Sequence, residues 1–548
     1  MRPISLRTLL PQSAAVAALS VAAALSAPAQ AASPGITSTD GTVATFALSA
    51  AEGRVSQPDG AAVYSWGYGC ASGGKPATYV PEAITGGFCS TMQIPGPTMV
   101  VTQGAQVTVK LTNNLPKAAG NTSILFPDFA VTASGGNPGL LTSEAANGGS
   151  VTYTFTATNP GTHVYYSGTQ SDLQVEMGMY GAIIVLPNTL VNTTGCTALG
   201  AEQTRTSWDP ALRAPEGEFR LAKAAYDNAG ACYDREYLFQ FSEIDPRIHE
   251  QVEAGVRADE AKAGDPGPDE RTADSRCTKP NGCLIVETEP YHPAYYMING
   301  RSMPDDMDPN YAFQYPHQPY NGNPHMHPGE LVLLRVIGTG RWQHPFHEHG
   351  NHVRVLARDG NLILSQTDPT KLAGPLLFTT TTTPGQALDG IFYWTGKGLN
   401  WDVYAHKTGT ADCVPDVNGY YTHASGAAYS APNYYEWCAD HTHALEKNPL
   451  GDVPTGGPIT LPDANLFANG PWYGGSPYLG PEATLRAVGT SPIPPSGTVA
   501  NDPGSEAGFA FMWHSHNERE ITTNNAFPGG MMMMMLVDPQ AYSINEAN

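Results

Sequence analysis

The sequence predicts an all-β protein built from two β-sandwich domains. The chain holds 58 glycines and 47 prolines in 548 residues, charged residues make up only 14% of it, and long helical periodicity is scarce. Such a composition is typical of many short strands joined by elaborate loops. The length exceeds that of an ordinary single domain, so more than one domain is expected.

Residues 1–31 have the features of an export signal. Arg2 and Arg7 give a positive start, residues 14–25 form an apolar core, and the small residues at 29–31 form a cleavage site. The two arginines are not adjacent, so a twin-arginine signal is not expected and a metal would be loaded after export. No other run approaches the roughly 20 apolar residues of a membrane span. The sequence predicts a secreted or periplasmic protein without a membrane span.

Charge and cysteine content narrow the partners and the compartment. The net charge of −22 becomes −24 when Arg2 and Arg7 leave with the signal. Such a surface repels nucleic acid and attracts cations. Eight cysteines in an exported chain predict disulfides whose connectivity the sequence leaves open. Neighbours in sequence suggest the pairs Cys70–Cys89, Cys196–Cys232, Cys277–Cys283 and Cys413–Cys438.

The first sandwich is expected at residues 40–190. Apolar and polar residues alternate with period two at 107–112, and a continuous apolar segment follows at 181–186. A connector at 191–285 is expected to contain a strand and, at 248–262, a short surface helix.

The second sandwich is expected at residues 286–540. Strand patterns occur at 331–337, 352–357 and 388–394. An insert at about 400–508, rich in Gly, Pro, Asn and Tyr, interrupts this half. A loop of that length is expected to have a covering or functional role.

Two short histidine pairs carry the chemistry. Residues i and i+2 of a strand project to the same face. His347 and His349 form one such pair, and His514 and His516 form another. On neighbouring strands, these four imidazoles would face one point. Imidazole suits copper, zinc, iron or nickel.

Residues 344–350, HPFHEHG, resemble the third copper motif of the multicopper oxidases, the laccase-like family, usually written HPFHLHG. Framework phrases at 94–97, 161–162, 178–185 and 297–301 are also similar to that family. The resemblance implies two cupredoxin-like Greek-key β-sandwich domains, as in a two-domain oxidase. It does not extend to the connector or to the long insert.

The sequence departs from the family pattern where the other copper motifs belong. The first two motifs are replaced by Leu-Phe-Pro at 125–127 and Tyr-Tyr-Ser-Gly at 165–168. In the fourth motif, Ser515 stands where the cysteine ligand of the blue copper is expected, and Glu520 replaces a histidine. A hydroxyl cannot replace a soft thiolate. The chain is therefore not expected to be a standard four-copper laccase.

The resemblance assigns the remaining histidines to copper. His347 matches a ligand of the mononuclear copper of the trinuclear cluster, and His349, His514 and His516 match ligands of its binuclear pair. His344 stands at a ligand position of the blue copper. We predict a copper centre that is smaller than the family's trinuclear cluster and has only histidine ligands. It would hold one copper or at most a loose pair, between the domains or between subunits of a homotrimer. The alternative is that these histidines hydrogen-bond to one another without metal.

Glu518 is the candidate catalytic residue. If the strand of His514 and His516 continues, Glu518 shares their face and could be a ligand, a proton relay or an orienting group. Pairing with Arg519 on the surface is the alternative.

Two further patterns have less specific interpretations. His325 and His327 could form a third pair, although a solvated surface turn is favoured. Met531–Met535 could bind copper(I), although packing on both faces of a final strand is favoured.

The leading hypothesis is a secreted copper-dependent oxidoreductase whose reductant is a small molecule or a metal ion, with dioxygen as an acceptor. The alternatives are a non-catalytic copper-binding or copper-tolerance protein and a metal-free structural relative.

Overall fold

A computed structural model describes residues 33–38, 42–71, 78–81, 86–188, 219–262, 282–397, 475–478 and 508–538, with the isolated positions 280, 414–417, 419, 420, 437, 439 and 544. The predicted signal peptide and most of the predicted insert lie outside these residues. Within them, no helix is long and apolar enough to cross a membrane.

Short strands form nearly all of the regular structure in the first half of the chain. Its strands are β1 Gly35–Thr37, β2 Val43–Ser56, β3 Ala62–Cys70, β4 Thr78–Val80, β5 Gly96–Thr102, β6 Gln106–Asn113, β7 Thr132–Gly135, β8 Asn137–Pro138, β9 Ser143–Glu144, β10 Ser150–Thr156, β11 Gly161–Tyr166 and β12 Tyr180–Leu186. A single-turn helix, α1, spans Ser171–Gln174.

The first half is a sandwich of two five-stranded sheets. Their strand orders are β11-β12-β5-β1-β4 and β3-β2-β6-β10-β7. In β6 the apolar residues at 107, 109 and 111 are buried between more exposed polar neighbours, so the predicted alternation is present. The two sheets enclose a core that includes Trp66, Tyr153 and Ile183.

The second half contributes one long helix and the remaining strands. Helix α2 spans Pro246–Lys262. The strands are β13 Arg235–Ile244, β14 Tyr295–Ile298, β15 His325–Met326, β16 Leu331–Gly338, β17 His344–Glu348, β18 Val353–Arg358, β19 Asn361–Leu362, β20 Leu376–Leu377, β21 Thr379–Thr382, β22 Ala387–Tyr393, β23 Gly475–Tyr478, β24 Gly508–Ser515 and β25 Met532–Val537.

Two sheets again face each other across one core. One has the order β14-β13-β16-β22-β18-β19, with β20 paired to β18, and the other has the order β15-β25-β24-β17-β21, with β23 paired to β24. Phe346, Trp513 and Met533 fill the space between them. The predicted all-β class with cupredoxin-like sandwiches is confirmed. The domain boundaries stay predictions.

Strand β13 and helix α2 follow each other in sequence but pack against different halves. Strand β13 lies between β14 and β16 in the second sandwich. The apolar residues of α2, Ile248, Val252 and Val256, recur every four positions and are buried in the first core. These two elements therefore tie the sandwiches together.

One predicted disulfide is confirmed, between Cys70 and Cys89. Cys232 and Cys283 are also disulfide-bonded. The other cysteines named in the predicted pairs lie outside the described residues.

Candidate metal centre

The histidine pairs are positioned by two neighbouring antiparallel strands, β17 and β24. His347 is directly opposite His514, and the flanking pairs are Phe346 with Ser515 and Glu348 with Trp513. Side chains of directly opposed residues lie on the same face of a sheet. The pairing places His347 and His514 together on the face away from the aromatic core.

All four predicted imidazoles lie together at this place. The ring centroids of His347 are 4.8, 5.6 and 4.7 Å from those of His349, His514 and His516, respectively. The centroids of His349 and His514 are 5.1 Å apart, and those of His514 and His516 are 5.4 Å apart. The structure therefore gathers residues from two distant parts of the chain into one imidazole cluster.

The shortest contact in the cluster fits two ligands of one ion. Nε2 of His349 lies 3.1 Å from Nε2 of His514. Two nitrogens that are each about 2.0–2.1 Å from one ion are about 2.8–3.4 Å apart for angles between square and tetrahedral. Nδ1 of His514 lies 2.8 Å from the carbonyl oxygen of Ser515, which can only accept. In the neutral ring the lone pair is therefore on Nε2, the atom that faces His349.

Burial keeps two of these rings neutral. Burial, together with the neighbouring imidazoles, lowers the pKa of His347 to about 3. Burial also lowers the pKa of His514. A metal ligand must be deprotonated, so His347 and His514 are ready to donate their lone pairs at neutral pH.

The cluster is not yet closed around an ion. In the part of the chain that the structure describes, no three His, Cys, Asp or Glu side chains are already arranged as metal ligands. The Nε2 atoms of His349 and His514 have the spacing of two ligands of one ion, but they face each other in a hydrogen bond. Binding therefore requires these rings to turn about their side-chain torsions until both lone pairs face the ion.

One side of the cluster faces solvent. His347 and His514 are buried, whereas the side chain of His516 is 49% exposed. Strand β24 ends at Ser515, so Glu518 lies in the following turn and not on a continuing strand. Its carboxylate, 80% exposed, reaches the cluster only through Nδ1 of His516, at 3.5 Å. Glu518 is thus placed at the rim.

His344 does not join the cluster, although the sequence analysis grouped it with the metal ligands. It alternates with His347 and faces the interior, fully buried. Its Nε2 is 2.9 Å from Glu243 Oε2, and its Nδ1 is 2.9 Å from Glu520 Oε2. Both ring nitrogens therefore already have carboxylate partners.

The partners of His344 hold it as an imidazolium. Burial opposes the charged ring, but the hydrogen bonds and charges of Glu243 and Glu520 outweigh burial and raise the pKa of His344 to about 9. The hydroxyl of Ser515 also donates to Glu520. His344 and Ser515, the two positions that the resemblance connects with the blue copper, are thus joined through Glu520 in a hydrogen-bonded network. We call it the carboxylate network (Glu243, His344, Ser515 and Glu520). An imidazolium has no lone pair for a metal.

Three residues near the site were missed by sequence reasoning. Thr379 Oγ1 lies 2.6 Å from Nδ1 of His347 and helps to fix that ring. Glu348, the last residue of β17 and the neighbour of both His347 and His349, is buried with its Oε1 2.8 Å from Thr380 Oγ1. Burial raises the pKa of Glu348 to about 8. The sequence did distinguish Glu348, because the family motif has leucine at that position. Glu243 had no local signal, because only the packing of β13 brings it to His344.

The third histidine pair is buried, so the surface turn favoured from the sequence is wrong. Nδ1 of His325 lies 2.8 Å from Asp538 Oδ2, and Nδ1 of His327 lies 2.9 Å from the carbonyl oxygen of the same residue. Strand β15 ends at Met326, so His325 lies in the strand that pairs with β25 and His327 directly follows that strand. In the sheet, β25 separates β15 from β24 and β17, the strands of the imidazole cluster.

Comparison with known families gives one match. Residues 86–190 match the model of the family described as multicopper oxidase. This segment of the chain is therefore similar to a multicopper oxidase domain. The description of that family names copper as the metal and oxidation as the reaction of its members. The matched segment lies in the first sandwich, whereas the imidazole cluster lies in the second.

Solved structures with similar folds include two copper proteins. The blue copper oxidase from Nitrosomonas europaea is 14% identical, with 90% of this chain and 85% of that chain covered, at a TM-score of 0.40. The copper nitrite reductase from Nitrosomonas europaea is 18% identical, with 64% and 84% covered, at a TM-score of 0.35. These scores are below 0.5, so nothing about activity is inferred from them. No curated protein sequence matches the chain.

Proposed function

We propose that this protein is a secreted copper oxidoreductase whose His-only centre is formed by His347, His349, His514 and His516. The carrying observation is the imidazole cluster itself. Its ring centroids are 4.7–5.6 Å apart, and its closest nitrogens are 3.1 Å apart.

The four imidazole donors and the match to the multicopper oxidase family both favour copper as the metal. Imidazole accepts several transition metals, and among them copper binds such sites most tightly. The carboxylate network fills the position expected for a blue copper, and its serine hydroxyl cannot act as a thiolate. The proposed centre therefore lacks a blue copper and is not that of a standard four-copper laccase.

The residues around the cluster have separate tasks. Thr379 and the carbonyl of Ser515 orient the rings of His347 and His514. Copper, when bound, would supply one-electron redox chemistry. The exposed side at His516 would admit a small-molecule or metal-ion reductant, and dioxygen is the proposed acceptor. Glu518 at the rim would attract cationic reductants, in keeping with a net charge of −22.

Assembly and location complete the proposal. In a homotrimer, as the resemblance to two-domain oxidases implies, the partly exposed cluster would lie beside a subunit interface. The predicted export signal at 1–31 supports a secreted or periplasmic location. The acidic chain is not proposed to bind nucleic acid.

A non-catalytic copper-binding or copper-tolerance protein is the second candidate. One observation favours it: the buried carboxylate network leaves no lone pair on His344, so electrons have no blue copper through which to enter. Such a protein would bind copper as tightly but would not turn over.

Metal content per chain is the decisive measurement. The full chain, expressed with copper, should hold about one copper with the weak visible absorption and spin-resonance spectrum of a thiolate-free site. His514→Ala should lose that copper, whereas His292→Ala, which removes an exposed histidine elsewhere, should retain it. Oxidation of phenols or metal ions that disappears in His349→Ala would support the enzyme. Tight copper without turnover would support the binding protein, and no retained copper would refute both and leave the metal-free relative.

A further inference from the structure

The outward face of the β24–β25 pair continues from the imidazoles into a row of methionines. Met531, Met533 and Met535 are buried in the core between the sheets. Met532 and Met534 alternate with them and lie on the opposite face. The methionines of β25 therefore do not all have one role.

Register joins this row to the imidazole cluster. On β24, Met512 is opposite Met534, and His514 is opposite Met532. On the other side of β24, His514 is opposite His347. Directly opposed residues share a face, so Met512, Met532 and Met534 lie beside the imidazoles. We call these three residues the thioether row.

Backbone hydrogen bonds show that the opposed side chains are at their closest spacing. The N–H of Met532 donates to the carbonyl oxygen of Gly530 at 3.0 Å, and the N–H of Met534 donates to Sδ of Met307 at 3.5 Å. Neither donates to β24. The two pairs are therefore non-hydrogen-bonded ones, in which Cα atoms are about 4.5 Å apart and side chains approach most closely.

Two of the three residues of the thioether row are partly exposed, and the third, Met532, is buried. Met512 and Met534 are half-buried, whereas Met533 and Met535 are fully buried. Methionine has three flexible torsions, so neighbouring sulfurs can converge on one point. Thioethers are neutral, soft donors that select monovalent copper over hard divalent ions.

We infer that Met512, Met532 and Met534 form a second metal site, selective for a soft monovalent cation of the Cu(I) or Ag(I) type, beside the imidazole cluster. The two sites differ in donor chemistry, since imidazole accepts divalent copper and zinc. The inference does not depend on the proposed oxidoreductase activity or on copper at the histidines.

Silver(I) is the probe, because it is soft and does not change oxidation state under the conditions of the titration. The full-length protein is titrated with Ag(I), and bound silver is counted per chain. The variant Met512→Leu/Met532→Leu/Met534→Leu removes the row with little change in side-chain volume. The matched control, Met531→Leu/Met533→Leu/Met535→Leu, removes as many sulfurs from the core face of the same strand.

Wild type and the core control should each bind one more Ag(I) than the row variant. Any Ag(I) binding that the row variant keeps at this site should be at least tenfold weaker. The variant His347→Ala/His514→Ala should lose Cu(II) but keep this silver. Equal silver binding by the row variant and wild type would overturn the inference, as would equal loss in the core control. Loss of both metals in the histidine variant would refute separate sites.

Methyl resonances of labelled methionine give a second measurement that needs no folded triple variant. Single variants such as Met534→Leu assign the outward methyl groups. On addition of Ag(I), the resonances of the thioether row should shift while those of Met533 and Met535 stay in place. Shifts confined to other methionines would overturn the assignment.

Discussion

The carboxylate network makes a quantitative prediction for the variant Glu520→Gln. His344 is fully buried between Glu243 and Glu520, whose side chains are also excluded from solvent. Burial alone would favour a neutral ring, yet the two carboxylates raise the pKa of His344 from 6.5 to about 9. Removing one negative charge should therefore lower the pKa of His344 much of the way back towards 6.5.

The size and sign follow from proton linkage. The difference between 6.5 and about 9 corresponds to roughly 3 kcal/mol at about 1.4 kcal/mol per pKa unit. Because the folded-state pKa is the higher one, this stabilisation is fully present below pH 6.5 and is lost as pH rises through about 9. In Glu520→Gln the free energy of unfolding at pH 6.5 should fall by about 3–5 kcal/mol, since one charge of a buried set loses its partner.

Urea unfolding, followed by tryptophan fluorescence between pH 6 and pH 9.5, measures the effect. The difference in unfolding free energy between wild type and Glu520→Gln should shrink as pH rises. Glu176 and Glu348, whose pKa values burial raises to about 8, titrate in both proteins and cancel in that difference. The control Glu289→Gln changes a carboxylate that is 73% exposed and should leave the pH profile unchanged. A constant difference across the pH range would refute the assignment to His344.

Three further predictions test the scaffold. Burial lowers the pKa of His249 to about 4, so the free energy of unfolding should fall by roughly 3 kcal/mol as pH falls from 6.5 towards 4. In His249→Gln, urea unfolding should show a smaller fall over this pH range. An unchanged fall would contradict the reasoning. Replacing Cys70 and Cys89 with serine should lower the free energy of unfolding by about 3 kcal/mol, because their disulfide closes a loop with a sequence separation of 19. An unchanged midpoint of urea unfolding would show that the disulfide does not stabilise the fold. Gly161→Ala should lower the free energy of unfolding by about 1–3 kcal/mol, because φ is 116° at this position and a Cβ would collide with Tyr226 Oη. A melting temperature equal to that of wild type would contradict this.

Strand alternation was readable from the sequence because it is a local property. The i, i+2 spacing predicted that each histidine pair lies on one face, and the ring contacts within each pair agree with this, although His349 and His516 directly follow the ends of β17 and β24. The same rule separates His344 from His347, which are three positions apart and therefore on opposite faces. The family resemblance outweighed this local signal when His344 was grouped with the metal ligands. Fold class, too, followed from short-range patterns and composition.

Only the tertiary structure decided which strands became neighbours and in what register. His347 could meet His514 only because β17 and β24 pair at that register, and a slip of one residue would send one of the two rings into the core. Non-local packing likewise brought Glu243 to His344 and Met532 to the edge of the imidazoles. Local sequence determines the face on which a side chain lies, whereas long-range pairing determines what lies opposite it.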